Sequence, residues 1–300
     1  MNDCQKTNNL KYLVASEQDI TWGITINTVG HQIVKKHSVY PPQNHPCRYL
    51  FATDKGRILE EYQLLYIKQG RGTFFSKNYA PKELGTGSMF LLFPGQWHNY
   101  YPHPATGWEE YWIGFTGVDM DKYVNNGFFQ YSKSVFNIGL QSEIIALYEQ
   151  AIQVANEQNP GYQQMLGGIV HHLLGVAYSY NKQLGFDDMQ VVNKINKAKI
   201  LVAENYDKGI SPERIASQIG MSYSWFRRIF KQYTGFSPIN YIQEIKIRKS
   251  MEMLTNTSLQ IKEIAFVAGF NNAEYFSTIF KKKTGYTPDR YREFTQGRHL

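Results

Sequence analysis

The stretch FKKKTGYTP, residues 280–288, repeats FKQYTGFSP, residues 230–238, fifty positions earlier. Five of the nine positions are identical, and Tyr286/Phe236 and Thr287/Ser237 are conservative exchanges. The likeness extends backwards: IASQIGMSYSWFRRIFKQYTGFSPINYI from Ile215 aligns with IAFVAGFNNAEYFSTIFKKKTGYTPDRYR from Ile264, with one extra residue between Gly269 and Phe276. Two copies make a duplicated module and not a solenoid.

Each copy predicts helix, tight turn, helix. In the first, Ser211 caps and Pro212 suits the first helical position. Ile215, Ala216 and Ile219 recur at helical spacing, and Gly220 ends the helix in a left-handed turn. Ser222 caps the next helix, whose stripe is Phe226, Ile229, Phe230 and Tyr233, and Gly235 stops it. In the second, Ser258 is the expected cap, with Ile261, Ile264, Ala265 and Ala268 on one face. Gly269 ends that helix, Asn271 is expected to cap the next, Phe276, Ile279 and Phe280 face inward, and Gly285 terminates. Such a pair is a helix-turn-helix, whose second helix enters the DNA major groove. The alternative for one copy alone is a generic helical hairpin; duplication inside a basic segment argues against it.

Charge follows the same division. Residues 1–189 carry 14 Lys and Arg against 16 Asp and Glu, whereas residues 190–300 carry 18 against 9. A basic C-terminal third suits a polyanionic partner, double-stranded DNA. Between the copies, Ser237 and Pro238 open a helix running to about Asn256. At 1.5 Å per residue it makes a rod of about 28 Å, close to the ~34 Å between successive major grooves on one face of the duplex.

Three hundred residues predict more than one domain. The only cysteines, Cys4 and Cys47, argue against a disulfide framework and fit a reducing cytoplasm. No apolar run is long enough for a membrane span, and the N-terminus lacks the apolar core of a signal peptide. Residues 20–118 read as short strands with glycine turns: QLLYIKQGRGTFF, GSMFLLFPG and WEEYWIGF suggest a barrel or jelly roll. Period-two geometry puts Trp108, Glu110 and Trp112 on one face, and Tyr111, Ile113 and Phe115 on the other. A carboxylate between two indoles suits a sugar, with aromatic faces for its C–H groups and an acceptor for its hydroxyls. The alternative is that these aromatics only pack the barrel. Residues 138–183 turn helical, with a break at Asn159-Pro160-Gly161. Leu166, Ile169, Val170, Leu173, Leu174 and Ala177 make an apolar stripe, while His171 and His172 read as polar rim.

IKEIAFVAGFNNAEYFSTIFKKKTGYTPDRYR, residues 261–292, resembles the second helix-turn-helix signature of the AraC/XylS family of bacterial transcription regulators. YIKQGRGTF, GSMFLLFPGQWHNY and GWEEYWIGF resemble the cupin-like sugar-sensing domain of the same family. The implied architecture is an α+β multidomain chain. A cupin-like β-barrel would span residues 1–137, a helical dimerisation segment 138–183, and a linker 184–190. An all-α domain with two helix-turn-helix motifs joined by a linker helix, seven helices in all, would span 191–300. The resemblance implies a homodimer acting at a promoter with RNA polymerase, expected to be an activator and cytoplasmic, responding to a sugar or sugar derivative. It requires no cofactor.

The implied ligand contacts are Trp112 for stacking, Glu110 two residues before it, Tyr100 after the motif His98, and Arg57, with Trp108 on the same face. Glu110 stands where the arabinose sensors of the family carry His, so the same sugar is not implied. Gly87 through Pro94-Gly95 to His98 also resembles the second cupin metal motif. The preceding strand, EEYQLLYIKQGRGTFF, holds no histidine, so His98 is a lone candidate and no metal is expected. Base contacts follow from helix geometry. Outward positions on the first recognition helix are Ser224, Trp225, Arg227 and Arg228, the arginines suited to a guanine edge or to a phosphate. On the second they are Asn272, Ala273, Glu274, Thr278 and Lys281. Glu274 can accept from cytosine N4 or pair with a lysine. Ser222, Asn271, Lys231, Lys281 and Lys282 sit where phosphates would. Two rivals remain: a regulator answering to a non-sugar effector or a partner protein, and a cupin enzyme tethered to DNA.

Overall fold

The computed structural model describes residues 8–40, 55–77, 79–183 and 189–297, so Cys4 and Cys47 lie outside the described residues. The chain divides into two units, Met1–Gly185 and Phe186–Leu300.

In the first unit the strands are β1 (Asn8–Tyr12), β2 (Thr25–Val34), β3 (Tyr62–Ser76), β4 (Tyr79–Gly85), β5 (Ser88–Leu92), β6 (His98–Pro102), β7 (Trp108–Thr116) and β8 (Val135–Asn137). Helices α1 (Glu17–Ile20), α2 (Val118–Asn125), α3 (Ser142–Glu157) and α4 (Tyr162–Gln183) complete it. The main sheet runs β1-β2-β7-β3-β5-β8. β3 is long enough, at 15 residues, to leave this sheet and pair its second half with β4 and β6. A register shift between Ile67 and Gln69 marks the change of sheet.

The predicted alternation along β7 separates two cores. Trp108 and Trp112 join Val34, Leu65, Ile67, Phe90 and Tyr100 inside the barrel. Tyr111, Ile113 and Phe115 face the other way, onto α3 and α4. Leu166, Ile169, Val170, Leu173, Leu174 and Ala177, the stripe assigned to a dimerisation segment, are all buried against the unit's own sheet. A fully buried side chain of this size contributes about 1.5–3 kcal/mol, so the stripe helps to hold the unit together. Gln163 fastens α4 to β2: its Oε1 accepts from Ile26 N at 2.9 Å and its Nε2 donates to Ile26 O at 3.0 Å. The break between the helices falls at Gln158, left-handed at φ 48°.

The second unit holds seven α-helices among the described residues: α5 (Met189–Asn205), α6 (Pro212–Gln218), α7 (Tyr223–Thr234), α8 (Pro238–Asn256), α9 (Ile261–Val267), α10 (Ala273–Thr284) and α11 (Pro288–Thr295). Residues 184–188 of the expected linker lie outside the described residues, and α5 begins within its last two positions. Each module has its own core, one around Ile195, Ile215, Phe226 and Phe230, the other around Leu254, Ile264, Phe276 and Phe280.

The caps of the first module lie where the sequence places them: Ser211 Oγ accepts from Arg214 N at 3.2 Å, and Pro212 follows. Ser222 occupies the N-cap of α7, although its side chain makes no capping bond. Two caps of the second module shift. Gln260, not Ser258, opens α9, its backbone N–H donating to Glu263 Oε2 at 2.7 Å. Asn272, not Asn271, opens α10, its Oδ1 accepting from Glu274 N at 2.7 Å and Tyr275 N at 3.0 Å. The buried phenylalanine sets that start. Phe226 and Phe276 both lie four residues past their caps, so the extra residue of the second copy falls in the turn.

Candidate functional site

Inside the barrel the six residues singled out by sequence converge. Arg57 anchors one side: its Nη2 donates to Tyr100 Oη at 2.9 Å and its Nε donates to His98 Nε2 at 3.3 Å. The guanidinium lies 5.6 Å over the Tyr100 ring. His98 Nδ1 is 3.1 Å from Gln96 O, so the proton sits on Nδ1 and Nε2 is the acceptor. Burial, helped by the Arg57 charge, pushes the imidazole down to about 3 and keeps it neutral. Both ring nitrogens are thereby committed to orienting Arg57 and the strand, which leaves His98 no lone pair for a metal. Burial likewise raises the Tyr100 phenol to about 12.

β7 supplies the opposite wall. Trp108 and Trp112 are 2% and 7% exposed, and Glu110 between them is 2% exposed. The indoles need glycines beneath them. A Cβ at Gly30 would lie 2.1 Å from Trp112 Cζ2, and one at Gly72 would lie 2.6 Å from Trp108 Cζ3. Burial raises the Glu110 carboxyl to about 8, against the pull of the Arg57 charge and of the Trp108 N–H. Even so, Glu110 Oε2 and Trp108 Nε1 have no hydrogen-bond partner of normal geometry among the described residues. Gln32 Nε2 shares that condition, on the residue paired with Glu110 across β2 and β7. Leaving a buried polar group unpaired costs about 1–3 kcal/mol. These three groups, two donors and one carboxyl, leave hydrogen-bonding capacity that a polar molecule can meet. The sequence reading missed Gln32, although it stands on the alternating inward row Thr28, Gly30, Gln32, Val34 of β2. It also missed Tyr40, whose hydroxyl bonds to Tyr100 and whose ring meets Trp108 edge-on at 6.0 Å. No periodicity marks Tyr40, because it follows the end of its strand.

The second unit carries its chemistry outside. Ser224, Arg227, Arg228 and Lys231 are exposed on α7, and Trp225 is 37% exposed beside them. On α10, Glu274, Thr278, Lys281 and Lys282 are exposed and Ala273 is half-buried. Ser222, Asn271 and Asn272 line the two helix starts, with Asn272 committed to its cap. Among the described residues none of Arg227, Arg228, Lys231, Lys281 or Lys282 enters an ion pair, whereas Lys283 is paired with Glu244. Among the described residues no ion pair joins Glu274 to a lysine. Tyr275, half exposed on α10 and receiving a hydrogen bond from Gln243 Nε2 at 3.0 Å, escaped the sequence reading.

Residues 39–174 match the family described as AraC-like ligand binding domain, and residues 215–293 match a helix-turn-helix domain family. The raffinose operon transcriptional regulatory protein of Pediococcus pentosaceus is 23% identical over 247 residues, 80% of this chain and 88% of its own. The lactose operon transcription activator of Staphylococcus xylosus is 26% identical over 243 residues, covering 78% of this chain and 85% of that protein. A bifunctional transcriptional activator/DNA repair enzyme of Bacillus subtilis is 34% identical over 95 residues, 32% of this chain and 45% of that protein.

Proposed function

Because the chain belongs to the AraC family of transcription regulators, we propose that it binds double-stranded DNA through α7 and α10 and answers to a sugar or sugar-derived effector held inside its barrel. The observation that carries the effector half is the trio Gln32 Nε2, Trp108 Nε1 and Glu110 Oε2, buried and unpaired between two indoles. Sugar hydroxyls both donate and accept, and the indole faces cover the ring C–H groups. The relatives named for raffinose and lactose operons support the same class. The DNA half rests on the unpaired basic residues of α7 and α10, spaced by a rod of suitable length.

In this reading the protein is a cytoplasmic activator that contacts RNA polymerase and works as a homodimer through a surface other than the buried α4 stripe. It performs no catalysis of its own. Arg57, His98 and Tyr100 hold one wall of the site, and Trp112 stacks on the sugar. Thermal melting against raffinose, melibiose, lactose, galactose and their acid and phosphate derivatives tests it. A binder at 100 times its Kd stabilises by about 2.7 kcal/mol. Absence of any shift across the panel refutes the effector class and leaves the DNA half standing.

A further inference from the structure

Two helix-turn-helix modules could be strung on α8 alone, and their spacing would then follow the bending of one helix. Long helices bend readily. Over a rod of about 28 Å, a bend of roughly seven degrees moves the far end about 3.4 Å, one base step of the duplex. A lone rod therefore cannot fix a reading register.

The second unit contains more than the rod. Residues 206–208 form a short turn after α5, in the first module. The backbone of that turn lies directly against Gly269, in the turn of the second module. A Cβ on Gly269 would stand 2.6 Å from Asp207 Cα and 2.9 Å from both Asp207 O and Tyr206 O. Lys246 of α8 braces the same point: its Nζ donates to Gly269 O and lies 5.3 Å over the Phe270 ring. Burial lowers the Lys246 pKa, and the Asp207 charge opposes that shift. Gln243 to Tyr275 and Glu244 to Lys283 add two ties from α8 to α10. The modules thus meet along α8 and again at a backbone contact off its axis.

The first module lacks the second contact. Lys194 of α5 donates to Gly220 O at 3.0 Å, as Lys246 does to Gly269 O. Yet a Cβ on Gly220 would meet nothing within 4 Å except Lys194 Nζ at 3.8 Å. The lysine-to-glycine brace belongs to both copies; the backbone contact exists only where one module touches the other.

We propose that the contact of the 206–208 turn with Gly269, braced by Lys246, locks the two recognition helices at one separation, so that the chain reads a two-part duplex site of fixed spacing. Gly269, Lys246 and Asp207 are positioning residues. The proposal rests on the reading that α7 and α10 both contact bases.

The test uses the full-length protein and the duplex sequence it selects from a random library. Selection should return two sequence blocks, and inserting one base pair between them should lower affinity roughly tenfold or more, the loss expected when one block is misread. Lys246→Met and Gly269→Ala should weaken binding at the native spacing while flattening the spacing profile. Lys246→Arg, which keeps the donor, should restore it. Should Gly269→Ala fail to fold, Lys246→Met carries the comparison. A wild-type protein indifferent to the insertion overturns the lock. So does a Lys246→Met protein weakened equally at every spacing, which would make Lys246 a mere phosphate contact or stability residue. A single recovered block overturns the two-helix reading itself, and the lock with it.

Discussion

The proposed effector site and the proposed recognition helices carry their polar groups in opposite ways. Glu110, Trp108 and Gln32 are almost wholly buried, and each leaves a polar atom unpaired. Arg227, Arg228, Lys231 and Lys282 stand in solvent, and folding asks nothing of them. A buried binding site is built against stability, because desolvation and orphaned hydrogen bonds oppose folding until the ligand arrives. An exposed one adds to a scaffold already complete. Substitutions in the barrel should therefore move stability and function together, and substitutions on the helices should move function alone.

Trp112→Ala tests this most severely. Removing an indole that is 7% exposed should cost about 3–5 kcal/mol in denaturant unfolding of the first unit. Effector-induced stabilisation should vanish with it. Normal effector binding by a folded Trp112 variant would make this face plain core and erase the contrast.

Glu110→Gln should have the next largest effect, with a sign set by pH. The folded carboxyl is raised from its ordinary 4.5 to about 8. Its favourable contribution is complete below 4.5 and is lost as pH rises through 8, at about 1.4 kcal/mol per unit. The Gln variant should therefore gain on the wild type in melting temperature from pH 5 to pH 8. His98 acts in the reverse direction, since its pKa falls from 6.5 to about 3. Its contribution is present above 6.5 and fades as pH drops toward 3. A melting difference independent of pH would show that Glu110 is ionised and paired in the folded state.

The helices should respond differently. Arg228→Ala should cost about 1–3 kcal/mol at one base position and leave unfolding within about 0.5 kcal/mol of wild type. A uniform loss across sequences would reassign Arg228 to the phosphate backbone. Smallest of all, Lys282→Ala should weaken every sequence alike and reduce the slope of log K against log salt by about 0.9. An altered base preference in that variant would contradict its place on the backbone.

What was legible in the sequence follows the same division. The duplicated module reveals itself because buried phenylalanines, turn glycines and caps recur at fixed offsets, and strand periodicity alone sorted Trp108, Glu110 and Trp112 from Tyr111 and Ile113. The caps of α9 and α10 were misplaced by one or two residues, since Ser258, Gln260, Asn271 and Asn272 can all accept from a backbone N–H. Only the distance to Phe276 decides the second case. The α4 stripe is legible as apolar, but what covers it is not, because periodicity says that a face is covered and not by what; in the structure it packs on the unit's own core. Gln32 and Tyr40 entered the site through strand pairing and a strand exit, neither of which a single-chain pattern encodes.

The contact of Trp112 with Gly30 has a consequence for how such a barrel can change over generations. No side chain fits at position 30 while the indole lies on it, since a Cβ would stand 2.1 Å from the ring. A smaller residue at 112 opens room there, and any side chain that then fills position 30 bars the indole from returning. The order of substitutions is therefore constrained, with 112 first and 30 second, and the second step closes the way back. Drift in what this barrel accepts moves through that pair like a ratchet.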